Sequence, residues 1–187
     1  MKTLVIYDND GVIYYQASGD IREPNGLQFI WVDEVPNNKI IEKVNVETKS
    51  PVLKNVETLG MSLDEIKTYY VNKATESKAN YLKNNPITFT CKGVESQYSI
   101  DEYTQNLLTK EIMMYTFAKD SGQDYTLIWR DVNGQCDFVW EIEDLKQLAY
   151  EINLIEARLT ARLQEIKKEI VSCESEGEIE NIDMTFE

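Results

Sequence analysis

Histidine is missing from all 187 residues of the chain. Without imidazole, Ser-His and Cys-His nucleophile pairs are closed off, and so is the commonest ligand of transition metals. Cysteine is nearly as scarce: Cys91, Cys136 and Cys173 form an odd, widely spaced set with no Cys-x-x-Cys. They read as free thiols of a reducing compartment, with Cys91 and Cys136 as small buried apolar residues. Eight glycines leave little material for a phosphate-cradling loop. Positive charge is in short supply too, 19 Lys and Arg against 33 Asp and Glu, for a net charge of −14 and a pI near 4.5. A field of that sign repels phosphate backbones and anionic lipid, so no nucleic acid and no membrane is expected as a partner. No apolar run approaches a membrane-spanning length, and Asp8 and Asp10 interrupt the first one where a signal peptide would continue. The expectation is a soluble protein made in the cytoplasm, with no cofactor and no enzymatic activity.

What is present in quantity is helical apolar periodicity near the end of the chain. From Glu141 to Val171, apolar residues return three or four positions apart with Glu, Lys, Arg and Gln between them, and no Gly or Pro interrupts. Such a helix is a rod of roughly 45 Å. A heptad seam runs through Leu145, Leu148, Ile152, Ile155 and Leu159; the next apolar residue then comes one position late, at Leu163, followed by Ile166 and Ile170. That stutter locally unwinds a supercoil and favours a straight helix in a bundle, with a short coiled-coil option near its end. Part of the stripe is expected to lie on the chain's own smaller elements and part to hold another subunit. These eight residues are therefore candidates for an assembly interface; the competing reading is the core helix of a monomer.

Before this helix the pattern is mixed. Residues 3 to 58 look all-β: TLVIY and VIYYQ flank Asn9-Asp10-Gly11, a strong hairpin signal because the turn needs positive φ. Turns at Glu23-Pro24-Asn25-Gly26 and Pro36-Asn37-Asn38 then separate LQFIWVDEV from KIIEKVNVET. A meander of three or four antiparallel strands is expected. Ser62 with Glu65 forms a capping box for a helix to about Leu82, closed by Asn84-Asn85-Pro86. ITFTCKGVESQYSI reads as a strand pair around Lys92-Gly93, and Ser99 with Glu102 as a second capping box. The helix it opens, to about Asp120, has Tyr103, Leu107, Leu108, Ile112, Tyr115 and Phe117 as its apolar positions. YTLIWRDVNGQCDFVWE reads as a further hairpin turning at Asn133-Gly134, anchored by Trp129 and Trp140. The fold class is α+β: an antiparallel β module (1–58), a linking helix (59–85), a helix–hairpin–long helix module (86–172) and an acidic tail (173–187).

The tail ESEGEIENIDMTFE has no Lys or Arg, and a solvated, disordered segment is its plain reading. Ile179, Ile182, Met184 and Phe186 are nevertheless spaced like one face of a short strand. Ile182, Met184 and Phe186 therefore join the candidate assembly surface, as an edge strand added to a neighbouring subunit.

One stretch invites a catalytic reading. LVIYDNDGVIY, an apolar strand running into Asp-x-Asp-Gly, resembles the opening motif of haloacid-dehalogenase-like phosphatases, in which Asp8 would be the nucleophile and Asp10 the acid-base group around Mg²⁺. That fold needs a parallel sheet with crossover helices, and here another strand-like run follows Gly11 at once, so a hairpin turn is the expected use of these carboxylates. The same residues fail as a calcium loop, because no alternating ligands follow Gly11.

The opening MKTLVIYDNDGVIY, with SGDIREPNGLQFIWVDEVP and KIIEKVNVET, resembles the N-terminal modules of small proteins encoded beside tail-fibre and baseplate genes in phages and prophages of Clostridium-like and other Gram-positive bacteria. From about Ile87 to Val171, the strand pair, the helix, the hairpin with a tryptophan just before a DxNG-like turn (Trp129 to Gly134) and the long final helix resemble a phage-associated domain of unknown function. The resemblance implies a structural part of a phage tail or phage-tail-like bacteriocin, joined to other tail, baseplate or fibre proteins. A homo-oligomer, with a trimer favoured, would suit the symmetry of tail tips. A tail-fibre assembly chaperone absent from the mature particle is the alternative. No catalytic, cofactor or metal residue is carried over.

Overall fold

A computed structural model describes residues 2–136 and 138–187. The chain forms two compact units, Met1–Ser62 and Leu63–Glu187, in an α+β fold.

The first unit is built from five short strands. β1 (Thr3–Tyr7) lies between β2 (Ile13–Ser18) and β3 (Phe29–Val32), antiparallel to both. β4 (Lys39–Asn45) and β5 (Ser50–Asn55) make a separate antiparallel pair. Alternation places Val5, Tyr7, Ile30 and Val32 on one face of the three-stranded sheet, where they share a core with Ile41 and Val44 of β4. Gly11 joins the two sheets: its carbonyl accepts the Val44 N–H at 2.9 Å, and a Cβ there would lie 2.0 Å from the Val44 oxygen. With φ at 83°, this position excludes other side chains on two independent grounds. The expected single meander is thus two small sheets sharing one core.

The linking helix α1 (Leu63–Asn84) opens the second unit and packs along its longest helix. A hairpin follows, β6 (Ile87–Cys91) and β7 (Val94–Tyr98), reversed by Lys92 and Gly93, both at positive φ. Helix α2 (Glu102–Asp120) comes next. Its cap differs from the expected Ser99–Glu102 box: Asp101 accepts the Thr104 N–H at 2.7 Å, and Ser99 donates its hydroxyl to the other Asp101 oxygen at 2.9 Å. A carboxylate one residue closer to the first turn wins this position because it takes both donors. α3 (Ile142–Ser172) is continuous over 31 residues, and a five-residue helix α4 (Glu176–Glu180) follows.

The hairpin expected over YTLIWRDVNGQCDFVWE is a turn without strands among its described residues. Asp131 N–H reaches the Gln135 carbonyl at 2.9 Å, so the reversal forms. Beyond it, Val132 N–H goes to Gln97 of β7, and the Trp140 indole N–H takes the Trp129 carbonyl at 3.0 Å. Trp140 is buried against Phe89, Tyr98 and Phe138, with ring centroids 6.3, 5.6 and 4.9 Å away. Packing of this aromatic cluster onto β6–β7 takes precedence over a ladder between the two flanks.

Candidate functional site

Leu145, Leu148, Ile152, Leu159, Leu163, Ile166 and Ile170 are all buried within the chain, and Ile155 is half-buried. α1, α2 and β6 of the same unit pack against α3 and account for the stripe. The assembly seam is therefore corrected to internal core, and a trimer built on it loses the surface that motivated it. On α1 the opposing line is Ile66, Tyr70, Ala74 and Leu82, at steps of four or eight residues. Lys78 falls in the same line. Its ammonium bonds Glu156 Oε1 at 2.5 Å and Thr160 Oγ1 at 2.7 Å, tying α1 to α3. This pair lies beside a cleft of about 300 Å³ lined by Thr75, Leu82, Gln105 and Leu163, and Glu156 Oε2 has no hydrogen-bond partner among the described residues.

The tail is neither solvated nor an added strand. Ile179 on α4 and Phe186 are buried, Ile182 and Met184 half-buried, and α4 packs on α1. Arg162 holds the segment by donating to the Asp183 carbonyl at 2.7 Å. The i, i+3 and i+7 spacing of Ile179, Ile182 and Phe186 fits a helical turn followed by a bend as well as a strand; α3 and α1 offer an apolar surface to cover, which decides between them.

Asp8 is occupied by its own turn. Oδ1 accepts the N–H groups of Asp10 and Val12 at 2.9 and 2.8 Å, and the Tyr14 hydroxyl donates to Oδ2 at 3.3 Å. The Val12 bond, with those from Asp10 and Tyr14, holds this carboxyl below the ordinary Asp range despite partial desolvation. Asp131 repeats the arrangement, with Oδ1 accepting from Asn133 at 2.9 Å and Gln135 at 2.8 Å, and Gly134 at φ 78° in the place of Gly11. The shared signature Asp-x-(Asp/Asn)-Gly is a chain reversal closed by its first carboxylate. Both neighbours of β1 run antiparallel to it, so Asp8 does not stand at the mouth of a crossover-wound sheet. Among the described residues no group of three or more Cys, Asp or Glu is gathered so as to hold a metal ion.

A different apolar surface emerges on α2. Leu108 and Ala118 face inward, with Ile112 and Tyr115 half-buried, but Tyr103, Leu107 and Phe117 point to solvent, joined by Met113 and Met114. The sequence pattern groups the first three with Leu108, Ile112 and Tyr115 as one set of apolar positions. A helix with two apolar bands does not announce which one its neighbours cover; the second band is legible in the sequence as Tyr103, Leu107, Met114 and Phe117, at steps of four, seven and three. Next to its N-terminal half, Ile128, Trp129 and Val132 form with Leu107 an open groove of about 420 Å³. Arg130 and the capping Asp101 sit at its edge. Among the described residues no helix is long and apolar enough to cross a membrane. No family model, no curated protein and no solved structure matches this chain.

Proposed function

We propose that this chain is a non-enzymatic structural component of a phage tail or phage-tail-like particle, a baseplate or upper tail-fibre adaptor that works through protein–protein contacts. The opening residues and the sequence from about Ile87 to Val171 supply the particle, by their resemblance to phage proteins; of the elements that carry it, the hairpin around Trp129 to Gly134 is a turn without strands among its described residues. The observation that carries the contact role is the outward apolar band of α2. A fully open aromatic side chain presents about 150–250 Å². Tyr103 and Phe117, 72% and 65% exposed, therefore leave roughly 250 Å² of ring surface in water. Met113, Met114 and Leu107 are exposed along the same helix between them, and clustered exposed apolar side chains of this kind mark interaction sites on soluble proteins. Asp8 and Asp10 on this reading only shape a backbone reversal.

The test is mass spectrometry of purified particles from a host carrying the gene, with a deletion strain alongside. An adaptor is present in finished particles, and its deletion leaves tails without fibres. A chain found in assembling lysates but missing from finished particles is an assembly chaperone, the alternative reading, and the adaptor role is then wrong.

A further inference from the structure

Resting on that adaptor reading, we infer that the outward face of α2 docks one amphipathic helix of a different protein, with an acidic residue of that helix set against Lys110. At 3.6 residues per turn, Tyr103, Leu107, Lys110, Met114 and Phe117 fall within an arc of about 80°. The face is a seam of helical pitch, which a second helix fits better than a strand or a loop. Met114 within it and Met113 at its border adapt their shape to a partner.

Lys110 says which kind of helix. It is exposed at the middle of the seam, and no ion pair among the described residues engages it. Glu111, its nearest acidic neighbour in sequence, lies on the side turned toward the unit, where it accepts the Tyr125 hydroxyl at 3.1 Å. Tyr103 and Phe117 stand seven residues to either side of Lys110, so a second copy packed two-fold on this face, parallel or antiparallel, brings Lys110 against Lys110. A single charged residue at a seam position selects partner and register in this way, and two chains of net charge −14 repel further. A Glu or Asp opposite Lys110 removes the conflict. The occupant is accordingly a helix with apolar residues at heptad spacing and one central acid, supplied by another protein.

Three labelled three-heptad peptides test this against the full chain by fluorescence anisotropy, each with a leucine seam and with Glu, Leu or Lys at the central seam position. The Glu peptide is expected to bind at least about tenfold more tightly than the Lys peptide, and Lys110→Glu to invert the order. Leu107→Ser with Phe117→Ser, both at exposed sites, should abolish binding of every peptide without changing the circular dichroism spectrum. Binding indifferent to the sign of the central residue, or no binding at all, overturns the inference. So does sedimentation velocity showing the free chain as a dimer that Phe117→Ser dissolves, since a second copy is then the occupant. If the charge order fails while the chain remains in purified particles, the docking inference falls and the adaptor reading stands; if the chain is absent from particles, the adaptor reading falls by itself.

Discussion

α2 and α3 are both amphipathic helices with apolar residues at seam spacing, and they use those residues in opposite ways. α3 runs 31 residues and is packed by α1, α2 and β6, so that Leu145, Leu148, Ile166 and Ile170 are at most 0% exposed. α2 is shorter, buries a narrow line at Leu108 and Ala118, and leaves Tyr103 and Phe117 more than half open to water. Periodicity thus tells that a helix has an apolar side, and only the count and placement of neighbouring elements tells whether that side is core or contact surface.

Paired substitutions break this comparison most sharply. Ile166→Asp should remove several kcal/mol, on the order of 4, by leaving a charge without a partner in the core, whereas Phe117→Asp should stay within about 0.5 kcal/mol. Urea unfolding followed by circular dichroism reads both. If Ile166→Asp leaves a stable, folded chain, the stripe of α3 is not core.

The tail extends the comparison. Ile179→Ala, at a fully buried site, should cost about 2–4 kcal/mol in the same assay. A solvated tail would show no change.

The cap of α2 provides a smaller effect with a pH signature. Burial alone would raise the Asp101 pKa; the hydrogen bonds from Thr104 and Ser99, with the charge of Lys83, outweigh it and bring the carboxyl below its ordinary value. A group whose pKa is lower in the folded chain stabilises it above the unfolded value, about pH 4, and that contribution is lost as pH falls through the folded value. Asp101→Ala should cost about 1 kcal/mol near neutral pH, and the gap from the parent chain should close toward the acid end. A gap unchanged by acid means that Asp101 does not act through its charge.

Smallest in energy is the behaviour of the thiols. Burial, aided by Asp144, pushes Cys91 up to about 11, so it stays protonated at neutral pH. Iodoacetamide at mildly alkaline pH should label the half-exposed Cys136 and Cys173 well before Cys91, as read by peptide mass spectrometry.

Local chemistry was the legible part of this fold. Asp8-x-Asp-Gly and Asp131-x-Asn-Gly each make the reversal their residues call for, and the α+β order of elements follows from caps, turns and periodicity. What flanks a reversal depends on distant partners. β1 and β2 continue as a ladder because β3 and β4 complete a shared core, while the flanks of Asp131 are drawn to Phe89 and Tyr98 through Trp140. The candidate site was missed for the same reason. The apolar residues of both helices stand in the sequence, but which band the unit covers is settled by tertiary packing.

Carbene footprinting of the intact, free chain measures that division directly, residue by residue. Heavy labelling of Tyr103, Met113 and Phe117, with Leu145, Leu148 and Ile166 protected, is the predicted result. Protection of the α2 face together with labelling of the α3 stripe would contradict it, and with it the assignment of α2 as the surface this chain offers to others.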